Sequence, residues 1–326
     1  MIIVYALREG VRHVLANRRL IIALWLLNFG MALSFALALH DQLRSSIGAS
    51  LVHEKLRGGF DIDWYGEFEH QATGVGRSFS PAVIGVGPFI TNLEAWLDGR
   101  LLEGYVGIVM LGLSYAAVWM FFLGGILDRF ARPQGPLSAG RFLGAACRYF
   151  PRFLPLALLA GLLYYLVYKT VSPPMFAWAV EVTRDVIDER WVFLLTAGAY
   201  LAVVILLVLI NVVSDYAKIA MVVNEQGNPL AAAWQGLRFV GAHPGRALGL
   251  YAVLGGVGLL SLGLYALMAP GAGPSNALTV TLAFLLGQAY LVLKLIVRLT
   301  FFSGQMALFQ GHVRKDETAL CPIALG

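Results

Sequence analysis

Six runs of about twenty mainly apolar residues dictate what this chain can fold into: residues 20–39, 105–127, 153–171, 191–213, 247–268 and 277–297. A helix of about 20 such residues crosses the roughly 30 Å hydrocarbon core of a bilayer. In lipid every backbone N–H and C=O must be paired within the segment, which makes each run a helix. Composition agrees: 59% of the 326 residues are hydrophobic and 13% are charged, against about 45–50% and about 25% in soluble domains. Mean hydropathy is +0.73. These values exclude a soluble enzyme, a disordered chain and a disulfide-stapled domain. The expected fold class is all-α integral membrane, one membrane domain over residues 1–326.

Six crossings put both termini on one side, and Lys/Arg bias chooses the side. With the N-terminus inside, the inner segments hold 16 Lys/Arg and 6 acids, a net of +10. The outer segments hold 8 and 13, a net of −5. The expectation is a bacterial inner (cytoplasmic) membrane protein with both termini cytoplasmic. The basic start and Ala36-Leu37-Ala38 suggest a signal peptide. The first apolar run, at about 19 residues, exceeds the usual 7–15, so it is read as an uncleaved span.

Three spans are preceded by short amphipathic segments. In residues 2–17, Ile3, Val4, Ala6, Leu7, Val11, Val14 and Leu15 oppose Arg8, Glu9 and Arg12, the pattern of a basic helix in the membrane interface. Residues 141–152 and 230–240 read the same way. Gly10-Val11-Arg12-His13-Val14 compares with Gly236-Leu237-Arg238-Phe239-Val240, and Pro136-Leu137-Ser138-Ala139 with Pro229-Leu230-Ala231-Ala232. The chain therefore reads as three units, each an interfacial elbow helix plus a transmembrane hairpin. Repeats are common in transporter folds, but any helix leaving the inner interface favours an Arg-bearing lead-in, so the repeat is read as one of architecture. Residues 40–102 form an outer-face cap between spans 1 and 2. A helix is expected over 41–56, a break at Gly58-Gly59, alternation over 60–70, a loop over 74–80 and an interfacial helix over 81–97.

Within the cap, Asp61, Asp63, Glu67 and Glu69 would share one face of an extended strand, with Ile62, Trp64 and Phe68 on the other. Four carboxylates on one edge make a weak candidate metal site for Ca²⁺ or a dock for a basic partner. Lacking EF-hand spacing, the segment is more simply a solvated acidic strand. Lys294 and Arg298 share a face of the last span. Turned inward they would hold an anion. A count of about 20 residues from Ala277 ends at Val297, which favours snorkelling at the cytoplasmic end. Asp128, Arg129, Asp215 and Lys218 end two spans. With Lys294 and Arg298 they make a candidate inner-face ion-pair network that locks elbow to hairpin. Asn28, Ser114, Ser261 and Gln288 are read as interhelical contacts, and Gly124-Gly125 and Gly255-Gly256-Val257-Gly258 as sites of close packing.

No phosphate-binding loop, nucleophile elbow or His-Glu-x-x-His stretch occurs; the six histidines are scattered, and Cys147 and Cys321 carry no spacing motif. No catalytic residue, metal or cofactor is expected. Bound lipid is. With Gly124-Gly125-Ile126-Leu127-Asp128-Arg129-Phe130-Ala131-Arg132 and Asp215-Tyr216-Ala217-Lys218-Ile219-Ala220, the chain resembles uncharacterised bacterial six-helix membrane proteins. Its second half, over the two later hairpins, is similar to the membrane domain accompanying some glycerophosphodiester phosphodiesterases. That resemblance brings no catalytic residues. The leading expectation is a non-catalytic multi-pass subunit or scaffold of an inner-membrane complex. Its partners would be lipids and other integral membrane proteins, with no nucleic acid. The alternative is a small transporter or permease component for a lipid or amphiphilic solute.

Overall fold

The computed structural model describes residues 2–48, 61–79, 87–100, 103, 106–133, 135, 137–269 and 276–320. Among them there is no strand. Six helices are long and apolar enough to cross a membrane: Arg18–Ile47, Val109–Ala131, Ala139–Thr183, Glu189–Val223, Pro244–Met268 and Ala277–His312. The chain is a multi-pass membrane protein. We number the helices α1 (Ile2–Ala16), α2 (Arg18–Ile47), α3 (Ile62–Gln71), α4 (Gly87–Leu97), α5 (Val106–Ala131), α6 (Ala139–Leu166), α7 (Ser172–Thr183), α8 (Glu189–Val223), α9 (Pro229–Ala242), α10 (Pro244–Met268) and α11 (Ala277–Leu320).

Local chemistry sets several boundaries. The Asp188 carboxylate accepts from Arg190 N at the start of α8, and Asn228 Oδ1 accepts from Leu230 N and Ala231 N ahead of Pro229 in α9. Both are N-caps that satisfy otherwise orphaned donors. Between α6 and α7 the helix widens to a π-turn over Val167–Val171. Pro173 and Pro174 follow at once, and their nitrogens cannot donate to the preceding turn.

Several expected boundaries shift. Residues 141–152 are not a separate elbow, because α6 runs unbroken through Pro151 and Pro155. These prolines are four apart, so both missing donors fall on one side of the helix. The helix of the first apolar run continues without a break to Ile47, into the segment where a separate helix was expected over 41–56; residues 49–56 and Gly58-Gly59 lie outside the described residues. The expected loop at 74–80 holds a 3₁₀ turn, Gly74–Ser78. The helix expected over 81–97 is described from Gly87.

The acidic segment is a helix, not a strand. Asp61 caps α3 by accepting from Asp63 N and Trp64 N. One turn apart, Trp64 and Phe68 then stack with ring centroids at 5.5 Å. They bury against Phe79 and against Leu43 and Ile47 of the extended α2. A strand would have pointed the same rings outward from one face, with nothing to cover them; the capped helix gives them a shared apolar seat.

Buried side chains concentrate at one end of the bundle, where α1 and α9 pack. Tyr149, Phe153, Tyr216, Met221, Leu299 and Met306 are fully buried there. At the opposite end Leu158, Leu162, Phe193, Leu260, Leu264, Leu278 and Phe284 are exposed, as suits surfaces facing lipid. Three close contacts knit the packed end. A Cβ on Gly10 of α1 would lie 3.1 Å from Thr300 O and Gly304 N of α11. One on Gly236 of α9 would lie 2.7 Å from Val213 O and Ala217 N of α8. One on Gly124 of α5 would meet Tyr149 Cβ at 3.0 Å and Ala146 Cα at 3.3 Å in α6. The segment 299–309 is a buried continuation of α11 because α1 lies directly on it: Leu299 is 0% exposed and Met306 1%.

Gly236→Ala should lower the thermal midpoint of the purified chain, an overpacking cost of roughly 1–3 kcal/mol. Gly241→Ala on the same helix, where a Cβ meets nothing within 4 Å, should leave it unchanged or raised. Size-exclusion after a heating series reads both.

Candidate functional site: a charged cavity between three spans

Asn211, Asp215 and Lys218 lie on one stripe of α8, and Tyr290, Lys294 and Arg298 on one stripe of α11. The two stripes face a common cavity of about 600 Å³. Tyr251, Leu254, Gly255, Gly258 and Leu259 of α10 form its third wall, Leu123 of α5 and Phe89 of α4 complete it, and Phe301 and Phe302 line the side toward the packed end. The Gly255 and Gly258 Cα positions open on empty space, so these glycines leave room rather than draw helices together.

Lys294 and Arg298 both line this cavity. Their side chains keep open surface, and that surface is cavity wall. Beyond Val297, where the count of apolar residues ends, α11 runs on as a helix packed under α1. From Ala277, Lys294 is ~26 Å and Arg298 ~32 Å along the helix axis at 1.5 Å per residue, at the far edge of an apolar slab of about 30 Å. The guanidinium carbon of Arg298 lies 3.8 Å from the Trp119 ring centroid, a cation–π contact. Lys218 Nζ sits 3.3 Å from Asp215 Oδ1. Lys294 forms no hydrogen bond or ion pair among the described residues.

Polar groups brace the surrounding spans. Trp25 Nε1 of α2 donates to Gln288 Oε1 of α11 at 3.0 Å, and the Tyr115 hydroxyl of α5 donates to Asn28 Oδ1 of α2 at 2.7 Å. Asn28 and Gln288 thus join helices. Ser114 and Ser261 instead donate to carbonyls of their own helices, Met110 O and Gly258 O. At the packed end of α11, Thr300, Ser303 and Gln305 are buried with side-chain polar atoms that have no partner among the described residues.

The six residues grouped as one inner-face network separate into two places. Asp128 pairs with Arg132 and lies 4.0 Å from Arg141 Nε. Arg132 also pairs with Glu225, which Arg148 Nη2 approaches at 3.4 Å. Arg129 Nε donates to Asn17 Oδ1 at 2.9 Å. This set ties α5, α6 and the end of α8 together, with Arg129 reaching the α1–α2 junction. Asp215, Lys218, Lys294 and Arg298 belong to the cavity. In the cap, Asp61 is the N-cap of helix α3, which carries Asp63, Glu67 and Glu69, and among the described residues no three His, Cys, Asp or Glu side chains gather as metal ligands. The scattered-histidine reading needs amending: His243 and His312 meet with ring centroids at 4.4 Å beside Phe239. They are far apart in sequence, and no spacing rule would have joined them.

Comparison with protein-family models, with curated proteins and with solved structures finds no match.

Asp128→Ala should destabilise the chain by roughly 1–3 kcal/mol, because it strands partly buried guanidinium groups. Glu9→Ala, which breaks only the 3.6 Å contact to the exposed Arg12 and the 3.2 Å contact to His13, should cost less than about 1 kcal/mol. Paired thermal midpoints check the order.

Proposed function

We propose that the chain is a non-catalytic transporter or permease component that receives an amphiphile in the cavity between α8, α10 and α11. The carrying observation is the cavity itself: ionisable stripes of two spans face each other across a glycine-relieved wall of a third. A bundle built only as a scaffold has no use for three cations and a carboxylate gathered around one cavity. Polar groups supply a place for a head group, and Leu254, Leu259, Leu262 and Val297 an apolar place for a tail. In this reading α1, the first turns of α6, and α9 are the elbows of three elbow-plus-hairpin units. The packed end, rich in arginine, lies at the cytoplasmic face of a bacterial inner membrane with both termini inside. Small residues at equivalent places in α1 and α9, each on the end of a span, support the repeat.

One observation favours the subunit reading. An apolar groove of about 440 Å³ opens between α6, α8 and α9, flanked by exposed Leu230 (71%), Trp234 (66%) and Leu237 (49%). A helix of a partner protein would fit such a groove.

Native mass spectrometry of the tagged chain, extracted from membranes in mild neutral detergent, decides between them. The cavity reading expects a co-purifying amphiphile that is depleted in Gly258→Phe, a substitution whose ring would enter open space and fill the cavity. Equal amphiphile in both proteins, together with a stoichiometric protein partner, would transfer the assignment to the subunit reading.

A further inference from the structure

We infer that the cavity selects amphiphiles with an anionic head group, of the phosphate or carboxylate kind, clamped between Lys294 and Arg298. This rests on the cavity reading and names its ligand class.

The charge inventory carries the argument. Lys218, Lys294 and Arg298 line the cavity against a single carboxylate, Asp215. That carboxylate is engaged by Lys218 at 3.3 Å. The pair leaves two cations to be satisfied. Arg298 rests on the Trp119 face, with Tyr115 and Asp215 also within electrostatic reach, and a guanidinium's five N–H donors leave it able to donate to a further oxygen partner. Lys294 has no hydrogen-bond or ion-pair partner among the described residues, and its ammonium opens onto the cavity. A cationic ligand would meet an excess of like charge. A neutral ligand would cover the Lys294 ammonium and leave its charge unpaired, which is costly. An anion resolves both.

Geometry agrees with charge. Residues four apart on one helix face bring their heads to neighbouring positions. A planar guanidinium that binds oxygens in pairs, next to a point-like ammonium, is a common way to hold phosphate or carboxylate. Tyr251 and Tyr290 hydroxyls, Asn211 and Ser261 give neutral polar contacts around the head. Beyond them the lining is leucine, valine, glycine and phenylalanine, which suits an acyl or alkyl chain. Asp215 then has a definite part: held by Lys218, it trims the positive field without neutralising Lys294. Its removal should tighten anion binding, whereas removal of a clamp cation should loosen it.

The test uses the full chain in dodecyl maltoside with four probes: dodecyl phosphate, dodecylphosphocholine, a phosphatidic acid and a phosphatidylcholine of matched acyl chains. Binding is read by native mass spectrometry titration. Each anionic probe should bind about tenfold tighter than its phosphocholine counterpart, and Lys294→Met should erase most of that ratio. Lys294→Arg should preserve it, which guards against misreading a folding defect as lost recognition. Asp215→Asn should raise affinity for the anionic probes a few-fold. Preference for phosphatidic acid alone would identify a bilayer lipid as the source of the head group, and preference for dodecyl phosphate alone a single-chain solute; both support the anion. Equal binding of anionic and phosphocholine probes, both abolished by Gly258→Phe, would overturn the anion inference and leave the cavity reading standing. Binding of all probes unaffected by Gly258→Phe would overturn both.

Discussion

Lipid tails are as apolar as leucine, so helices in a bilayer gain little from pressing leucines together. Close association has to come from backbones brought near by small residues, and the packed end of this bundle is built that way. Gly10 lets α1 lie on the Thr300–Gly304 backbone of α11. Gly236 lets α9 lie on the Val213–Ala217 backbone of α8. Gly124 admits Ala146 and Tyr149 of α6 to α5. Around these contacts the large side chains interlock, and Asp128, Arg132 and Glu225 tie the rim. Where the small residues stop, the helices present bare apolar surface to their surroundings.

The cavity is a consequence of that asymmetry. The spans are held tightly at one end, while α10 presents Gly255 and Gly258 to the space beside α8 and α11 with nothing filling it. The same residue type thus does opposite things in one protein. At Gly236 glycine brings two backbones together; at Gly258 it keeps a wall thin. The stripes of α8 and α11 that carry Asp215, Lys218, Lys294 and Arg298 face this space, beside the turns on which α9 and α1 pack.

Some of the site was visible in the residues alone. The spacing of Lys294 and Arg298 put them on one face, and an anion was one of the two readings of that face. A count of apolar residues could not show that this face lines a cavity with α8 and α10, or that α11 continues as a buried helix where another part of the chain covers it. The acidic segment folds as a helix because Asp61 caps it and Trp64 and Phe68 pair one turn apart, neither of which alternation over ten residues reveals.

What the sequence determined by itself is what one-dimensional physics fixes. Six apolar runs of bilayer length compel six helices, because unpaired backbone groups are prohibitive in hydrocarbon. Only the tertiary structure decided which face of each helix looks at which neighbour. That choice depends on contacts between residues hundreds of positions apart, such as Gly10 with Gly304 and Trp25 with Gln288. It turned one row of charges into a rim that locks helices together and another into the wall of a cavity.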